Sequence, residues 1–192
     1  MEWLLVVLGY LLGTFPTAYV VGKRVLGKDI RKLGDLNMGA RNAYFEIGHK
    51  AGIFIFFIDA AKGLIAVLVP RLLNVSQPFV LAAGIAAVAG HNWPVFLSFR
   101  GGRGEATTIG VLAGLIPIPM LIMAVPTILT LVIVKNVITA TAVMFVGLPI
   151  VDWILGVSGL MVIYGIGLPV LVALTHYFRV HNRGNPAHTE TA

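Results

Sequence analysis

Two stretches of this sequence carry the residue types that bind anions. One reads Phe99-Arg100-Gly101-Gly102-Arg103-Gly104-Glu105-Ala106-Thr107 and immediately precedes an apolar run. A glycine-rich, doubly basic loop leading into a helix combines exposed backbone amides, the positive end of a helix dipole and guanidinium forks. Its spacing is not G-x-x-x-x-G-K-[ST], so it is not a nucleotide-binding P-loop. The other reads Gly34-Asp35-Leu36-Asn37-Met38-Gly39-Ala40-Arg41-Asn42. Two asparagines, two glycines and an arginine make a loop that bends freely and presents amides and a guanidinium to phosphate oxygens. A basic turn at a membrane face would have a similar composition.

Other polar residues lie inside apolar runs. Asp59 and Lys62 are three apart, on one helix face. Each alone would cost roughly 2.5–3.5 kcal/mol at the centre of a bilayer, so a structural ion pair is the favoured reading. His91 sits between Gly90 and Asn92-Trp93-Pro94. It reads either as a buried neutral histidine or as a proton carrier, with no acid beside it in sequence. Thr139 and Thr141 have the usual membrane role of bonding back to helix carbonyls. Gly110 and Gly114 form a G-x-x-x-G suited to close helix packing. No histidine has an aspartate five positions later, and neither G-x-S-x-G nor H-E-x-x-H occurs, which argues against a serine hydrolase or a zinc enzyme. There is no cysteine, so disulfides and thiolate chemistry are excluded. No metal-ligand cluster is visible, so neither a metal nor an organic cofactor is expected.

The elements that must position these residues are membrane helices. Of the 192 residues 58% are hydrophobic and 11% charged, against about 25% charged in soluble domains, and mean hydropathy is +0.92. Apolar runs fall near 3–21, 52–69, 79–99, 108–116, 119–134, 137–150 and 153–178. The fourth and fifth are short, and Pro117 and Pro119 flank the break between them, giving either two thin helices or one kinked helix. The expected fold is an all-α polytopic membrane bundle of about seven transmembrane helices; five is the alternative, with short segments re-entrant. With seven crossings, every one of the 14 lysines and arginines except Lys62 and Arg71 falls on one face. By the positive-inside rule that face is cytoplasmic and the N-terminus lies outside. Lys135 adds a cation there, beside the start of the run that holds Thr141. The net charge of +6 thus points to anionic headgroups or phosphate substrates rather than nucleic acid. The first run has no basic region before it and reads as a retained helix rather than a signal peptide. Residues 1–183 form one domain and 184–192 a polar tail, and no internal repeat suggests a transporter.

At its two loops the chain resembles the bacterial acyl-phosphate:glycerol-3-phosphate acyltransferase family, PlsY. The family pattern H-x-x-P-x-F-x-x-F-K-G-G-K-G-x-A-T is met by His91, Pro94, Phe96, Phe99, Arg100, Gly101, Gly102, Arg103, Gly104, Ala106 and Thr107, with two lysines replaced by arginine. The pattern G-S-G-N-x-G-A-T-N-x-x-R is met at Gly34, Asn37, Gly39, Ala40 and Asn42, and D-x-x-K-G at Asp59, Lys62 and Gly63. Thr141 stands for a family serine, and His176 fits a later H-x-x-N-I-x-R pattern in which Arg179 occupies the asparagine position. The resemblance implies a seven-helix inner-membrane enzyme without cofactors. It would move an acyl group from acyl phosphate to the 1-hydroxyl of glycerol 3-phosphate, giving lysophosphatidic acid and phosphate. Asn37, Gly39, Arg41, Asn42, Arg100, Gly101, Gly102, Arg103, Gly104, Thr107, Lys135 and Thr141 are then the expected substrate-binding residues, Asp35 and His91 the expected catalytic ones, and membrane lipids the expected surroundings.

Three departures bear on the acceptor. Asp35 replaces a serine, Arg41 a threonine and Phe45 an arginine. Arg41 and Phe45 are four apart and share a helix face, so Arg41 is expected to deliver the guanidinium that position 45 lacks. A carboxylate 4 Å from a phosphate charge repels it by roughly 4 kcal/mol at an effective dielectric of 20. Asp35 must therefore pair with an arginine, act as a base for the acceptor hydroxyl, or mark a changed acceptor. The alternative to an enzyme is a paralogue that binds phosphorylated lipids or anions without acyl chemistry. In an enzyme, Asn37, Arg41, Arg100, Arg103 and Thr141 should converge on one cavity; a continuous polar pore would indicate transport.

Overall fold

The structure is a computed structural model and describes residues 2–181; Arg183 and the polar tail from Gly184 lie outside the described residues. Among the described residues all regular structure is helical: α1 (Glu2–Thr14), α2 (Thr17–Leu26), α3 (Ala40–Glu46), α4 (His49–Leu72), α5 (Gln77–Asn92), α6 (Glu105–Leu115), α7 (Pro117–Val134), α8 (Val137–Ile154) and α9 (Gly159–His181), with short 3-10 turns at Ile30–Lys32 and Val95–Leu97. Six spans are long and apolar enough to cross a membrane, α1 and α2 together forming one of 25 residues broken at Pro16. The seventh, α6, has 11 residues. That is about 16 Å at 1.5 Å per residue, half the hydrocarbon thickness of ~30 Å.

Runs four and five are separate helices, divided at Ile116–Pro117. Two other run boundaries shift. The third run continues to Phe99 by hydropathy, but α5 stops at Asn92 ahead of Pro94. Trp153 belongs to α8 rather than to the last helix; the intervening turn turns on Gly156 at φ +68°, and its apolar neighbours hide it from a hydropathy reading.

Small residues set the helix contacts. A Cβ on Gly13 would lie 2.1 Å from the Ala87 carbonyl oxygen and one on Gly90 2.2 Å from that of Tyr10, so α1 and α5 touch backbone to backbone. Gly63 meets Thr107 and Gly110 meets Ala60 in the same way, which lays α6 parallel to the second half of α4. The G-x-x-x-G reading holds. Val67, Val88, Val111, Leu112 and Leu148 fill the core, with at most 1% of their surface exposed.

Because α6 starts beside Ala60 of α4, the chain leaving α5 must descend into the bundle before α6 begins. The glycine-rich loop therefore fills the half-thickness that α6 does not span. The basic ends come together around it. Arg31 donates to the carbonyls of Leu97 and Arg100, Arg103 reaches Asp35, and Arg179 from the last turn of α9 donates to the carbonyls of Gly101 and Asn92. At the opposite end Glu2 accepts from Ser76 and Arg71 donates to Gly114.

Candidate functional site

A polar layer crosses the bundle where three helices are interrupted or end. Pro16 breaks the first span, and at the break the Phe15 carbonyl accepts from Thr17 N–H at 3.1 Å and from Lys62 at 2.5 Å. Lys62 also pairs with Asp59 at 2.6 Å, and Asp59 accepts from the Thr17 hydroxyl at 2.9 Å. Both charges are at least 95% buried and are paired with each other, the condition under which an intramembrane ion pair is tolerated. His91, from the last turn of α5, lies beside them with Nδ1 4.0 Å from the Asp59 carboxylate. Nδ1 makes no hydrogen bond among the described residues, so Asp59 on α4 is a neighbouring acid and not a hydrogen-bond partner.

The glycine-rich loop runs back along the end of α5. Gly101 N–H donates to the Asn92 carbonyl at 3.2 Å and Gly102 N–H to that of His91 at 3.0 Å. These two amides are engaged by protein and do not face an anion. The glycines serve approach instead: a Cβ on Gly101 would lie 2.1 Å from the His91 oxygen, and one on Gly102 2.0 Å from His91 Nε2. The loop ends at Gly104, which caps α6 at φ +81°, a conformation glycine adopts without strain. The anion-binding capacity lies just beyond, where the first amides of α6 are those a helix leaves unpaired.

The two loops meet at Asp35. Its Oδ2 accepts from Arg103 at 3.1 Å and from Arg41 at 3.4 Å. Its Oδ1 accepts from the Asn37 amide, and its own N–H donates to Asn42. Of the three expectations for Asp35, pairing with arginine is the one this geometry displays. Arg103 is 8% exposed, and its Nε has no hydrogen-bond partner among the described residues.

A cavity of about 90 Å³ opens at this junction, lined among others by Asn37, Gly39, Arg41, Asp59, His91, Arg103, Gly104, Glu105, Thr141 and His176. Phe56, Val137 and Ile138 complete the wall, and Ile138 is 45% exposed on the outer surface of the bundle. The sequence singled out Asp59 only as an ion pair and missed Glu105, which lines the same cavity as Thr141. An acid in the first turn of a helix after a glycine cap was the available signal.

Not every expected residue reaches the cavity. Asn42 is buried and donates to the carbonyls of Ile30, Leu33 and Asn37, closing the loop from within. Thr107 is fully buried where α6 crosses Gly63. Arg100 and Lys135 are exposed at the basic end, and Gly101 and Gly102 pack behind His91. Thr141 bonds back to the Val137 and Ile138 carbonyls, as its place in a helix suggested. Asn37, Arg41, Arg103 and Thr141 converge as expected, and Arg100 does not.

The chain is similar to known proteins in sequence and fold. The sequence model of the family described as glycerol-3-phosphate acyltransferase matches residues 3–183. Glycerol-3-phosphate acyltransferase 4 of Dehalococcoides mccartyi is 49% identical over 179 residues, covering 93% of this chain and 97% of that protein. The crystal structure of PlsY (YgiH), an integral membrane glycerol 3-phosphate acyltransferase, in its glycerol 3-phosphate form superposes with a TM-score of 0.85 at 28% identity, over 94% of this chain and 90% of that one. Its lysophosphatidic acid form gives 0.81 at 26% identity over the same shares. An alignment running nearly end to end at this identity, on a shared membrane fold, places the chain in the glycerol-3-phosphate acyltransferase family, PlsY.

Proposed function

We propose that this chain transfers an acyl group from acyl phosphate to the 1-hydroxyl of glycerol 3-phosphate, releasing phosphate and leaving lysophosphatidic acid in the membrane. The observation that carries this is the junction of Arg103, Arg41 and the α6 N-terminus on one small cavity that adjoins the lipid-facing surface. Acyl phosphate is already activated, so the site has mainly to hold two phosphates and stabilise charge on the leaving group. Arg103 and the first amides of α6 supply fixed donors for one phosphate; Arg41, Asn37 and Gly39 line the place of the other. The acceptor oxygen forms a bond to the acyl carbon while the acyl carbon–phosphate oxygen bond breaks. The hydroxyl proton is assigned to His91, which lines the cavity beside Asp59. Asp35, held by two guanidiniums, serves as their counter-ion. The acyl chain lies along the apolar wall of Phe56, Val137 and Ile138. Solved relatives in glycerol 3-phosphate and lysophosphatidic acid forms support the acceptor and the product.

The same reading makes residues 1–183 one catalytic domain in the bacterial inner membrane, with the N-terminus outside and the cavity on the cytoplasmic side, where Arg100 and Lys135 add to the positive field. The test is phosphate release from palmitoyl phosphate by the purified protein in detergent or lipid mesophase. Release that requires glycerol 3-phosphate and disappears in Arg103→Ala supports the proposal. A folded protein with no such release would instead be a paralogue that binds anions without acyl chemistry.

A further inference from the structure

Arg41 leaves the first turn of α3 with 41% of its side chain exposed, and an arginine so placed is free to sample many rotamers. Two groups hold it. On one side Asp35 Oδ2, itself anchored through Asn37 and Asn42, accepts from Arg41 Nη1. On the other the guanidinium carbon stands 5.5 Å from the centroid of the Phe45 ring, one helical turn on. Phe45 is 67% exposed and takes no part in the core. The inward face of α3 is made by Asn42 and Ala43. Its ring is braced edge-on by Tyr44 at 5.3 Å, and Tyr44 is stacked on His49 at 4.2 Å. The order Phe45, Arg41, Asp35, Arg103 runs from the outer face of α3 to the buried wall of the cavity.

We propose that Phe45 is a positioning residue for Arg41, holding its guanidinium against Asp35 so that Arg41 is pre-set to bind the acceptor's phosphate beside Arg103. This rests on the acyltransferase reading above. An exposed aromatic face here does what a buried network would do elsewhere: it removes rotamers that point Arg41 away from the cavity, so less freedom is lost when phosphate binds.

The experiment measures kcat and the KM for glycerol 3-phosphate of the full chain at fixed palmitoyl phosphate. The proteins compared are wild type, Phe45→Ala, Phe45→Leu, Phe45→Tyr, Arg41→Ala and Arg41→Ala/Phe45→Ala. An exposed cation–π contact corresponds to about a two- to fivefold change in affinity. Phe45→Ala and Phe45→Leu should therefore raise KM by about two- to fivefold with kcat unchanged, and Phe45→Tyr, which keeps the ring, should keep the wild-type KM. In the Arg41→Ala background, removing Phe45 should change nothing further. A wild-type KM in Phe45→Leu, or effects that multiply in the double variant, would overturn the inference. So would a wild-type enzyme whose KM is indifferent to Arg41→Ala, and that result would leave the acyltransferase reading standing. A wild type without acceptor-dependent release would overturn both.

Discussion

Gly101→Ala separates two explanations of the glycine-rich loop that agree on everything else. If glycine is there to expose amides, alanine should be tolerated, because it keeps the N–H. If glycine is there to let the loop lie on the end of α5, alanine should not be. Its Cβ would stand 2.1 Å from the His91 carbonyl oxygen, where ordinary contact begins near 3.4 Å, so the loop must retreat by about 1.3 Å. The obstacle is backbone and cannot rotate aside. The retreat pulls Gly101 N–H off Asn92 and carries Arg103 and the start of α6 with it. A misplacement of about 1 Å in a positioning group costs on the order of a hundredfold in rate, or about 2.7 kcal/mol of barrier. The assay is kcat/KM from phosphate release, with size-exclusion and thermal unfolding in detergent confirming a folded protein. Gly167→Ala is the control, since a Cβ there meets nothing within 4 Å. Activity of Gly101→Ala within about threefold of wild type would refute the close-approach argument.

Further perturbations test the scaffold around the cavity. Lys62→Met leaves Asp59 buried with only the Thr17 hydroxyl and should destabilise by about 3–5 kcal/mol, read as a lowered unfolding temperature in detergent. Arg179→Lys keeps the charge but cannot fork across the Gly101 and Asn92 carbonyls; a hydrogen bond to a charged group contributes about 1.5–3 kcal/mol, so both stability and kcat/KM should fall, with activity falling further than in Lys62-independent surface variants such as Arg24→Lys. Asp29 is held below the usual carboxylate range by the Arg31 side chain, and the Arg31 amide adds to this. A lowered carboxyl contributes stability above its unfolded value and loses it as pH falls through the folded one. Unfolding temperature should therefore decline below about pH 4, and Asp29→Asn should flatten part of that decline.

Much of this fold is legible because hydropathy and charge report it directly. Long apolar runs and the one-sided distribution of lysine and arginine follow from the bilayer itself, and the basic loops do meet at one end. What sequence obscures is depth. Nothing in the string Arg100 to Gly104 says that the loop descends into the bundle; that follows from Gly63 and Gly110 laying α6 beside the far half of α4. The approach of His91 to Asp59 is equally hidden, since it depends on how α4 and α5 are rotated against each other. Asn42 shows the converse limit. Its residue type suits a phosphate contact, but a buried amide that can satisfy three carbonyls is drawn to them first. Arg41 and Arg103 line the cavity, whereas Arg100, equally next to a loop glycine, does not, so residue type and neighbours alone do not say which guanidinium turns inward.

The depth of the site explains why the bundle is broken where it is. A reaction that joins a water-soluble phosphate to an acyl chain needs polar groups below the headgroup level, where an unpartnered backbone group costs several kcal/mol. The chain meets this by making each interruption satisfy another. At the Pro16 break the Phe15 carbonyl accepts from Lys62 as well as from Thr17 N–H. Where the loop replaces half of α6, Arg179 donates to the Gly101 carbonyl and joins Gly101 N–H on the Asn92 carbonyl at the end of α5. Asp35 takes Arg103 and Arg41. Each cation inside the polar layer thus has a structural task on one side, and the cavity is formed where those tasks leave donors over: at Arg103 Nε and the first turn of α6. Where the partner is a side chain, as at Asp35, a substitution should therefore be rescued by a compensating change directly across the bond, and not by added charge elsewhere on the basic face.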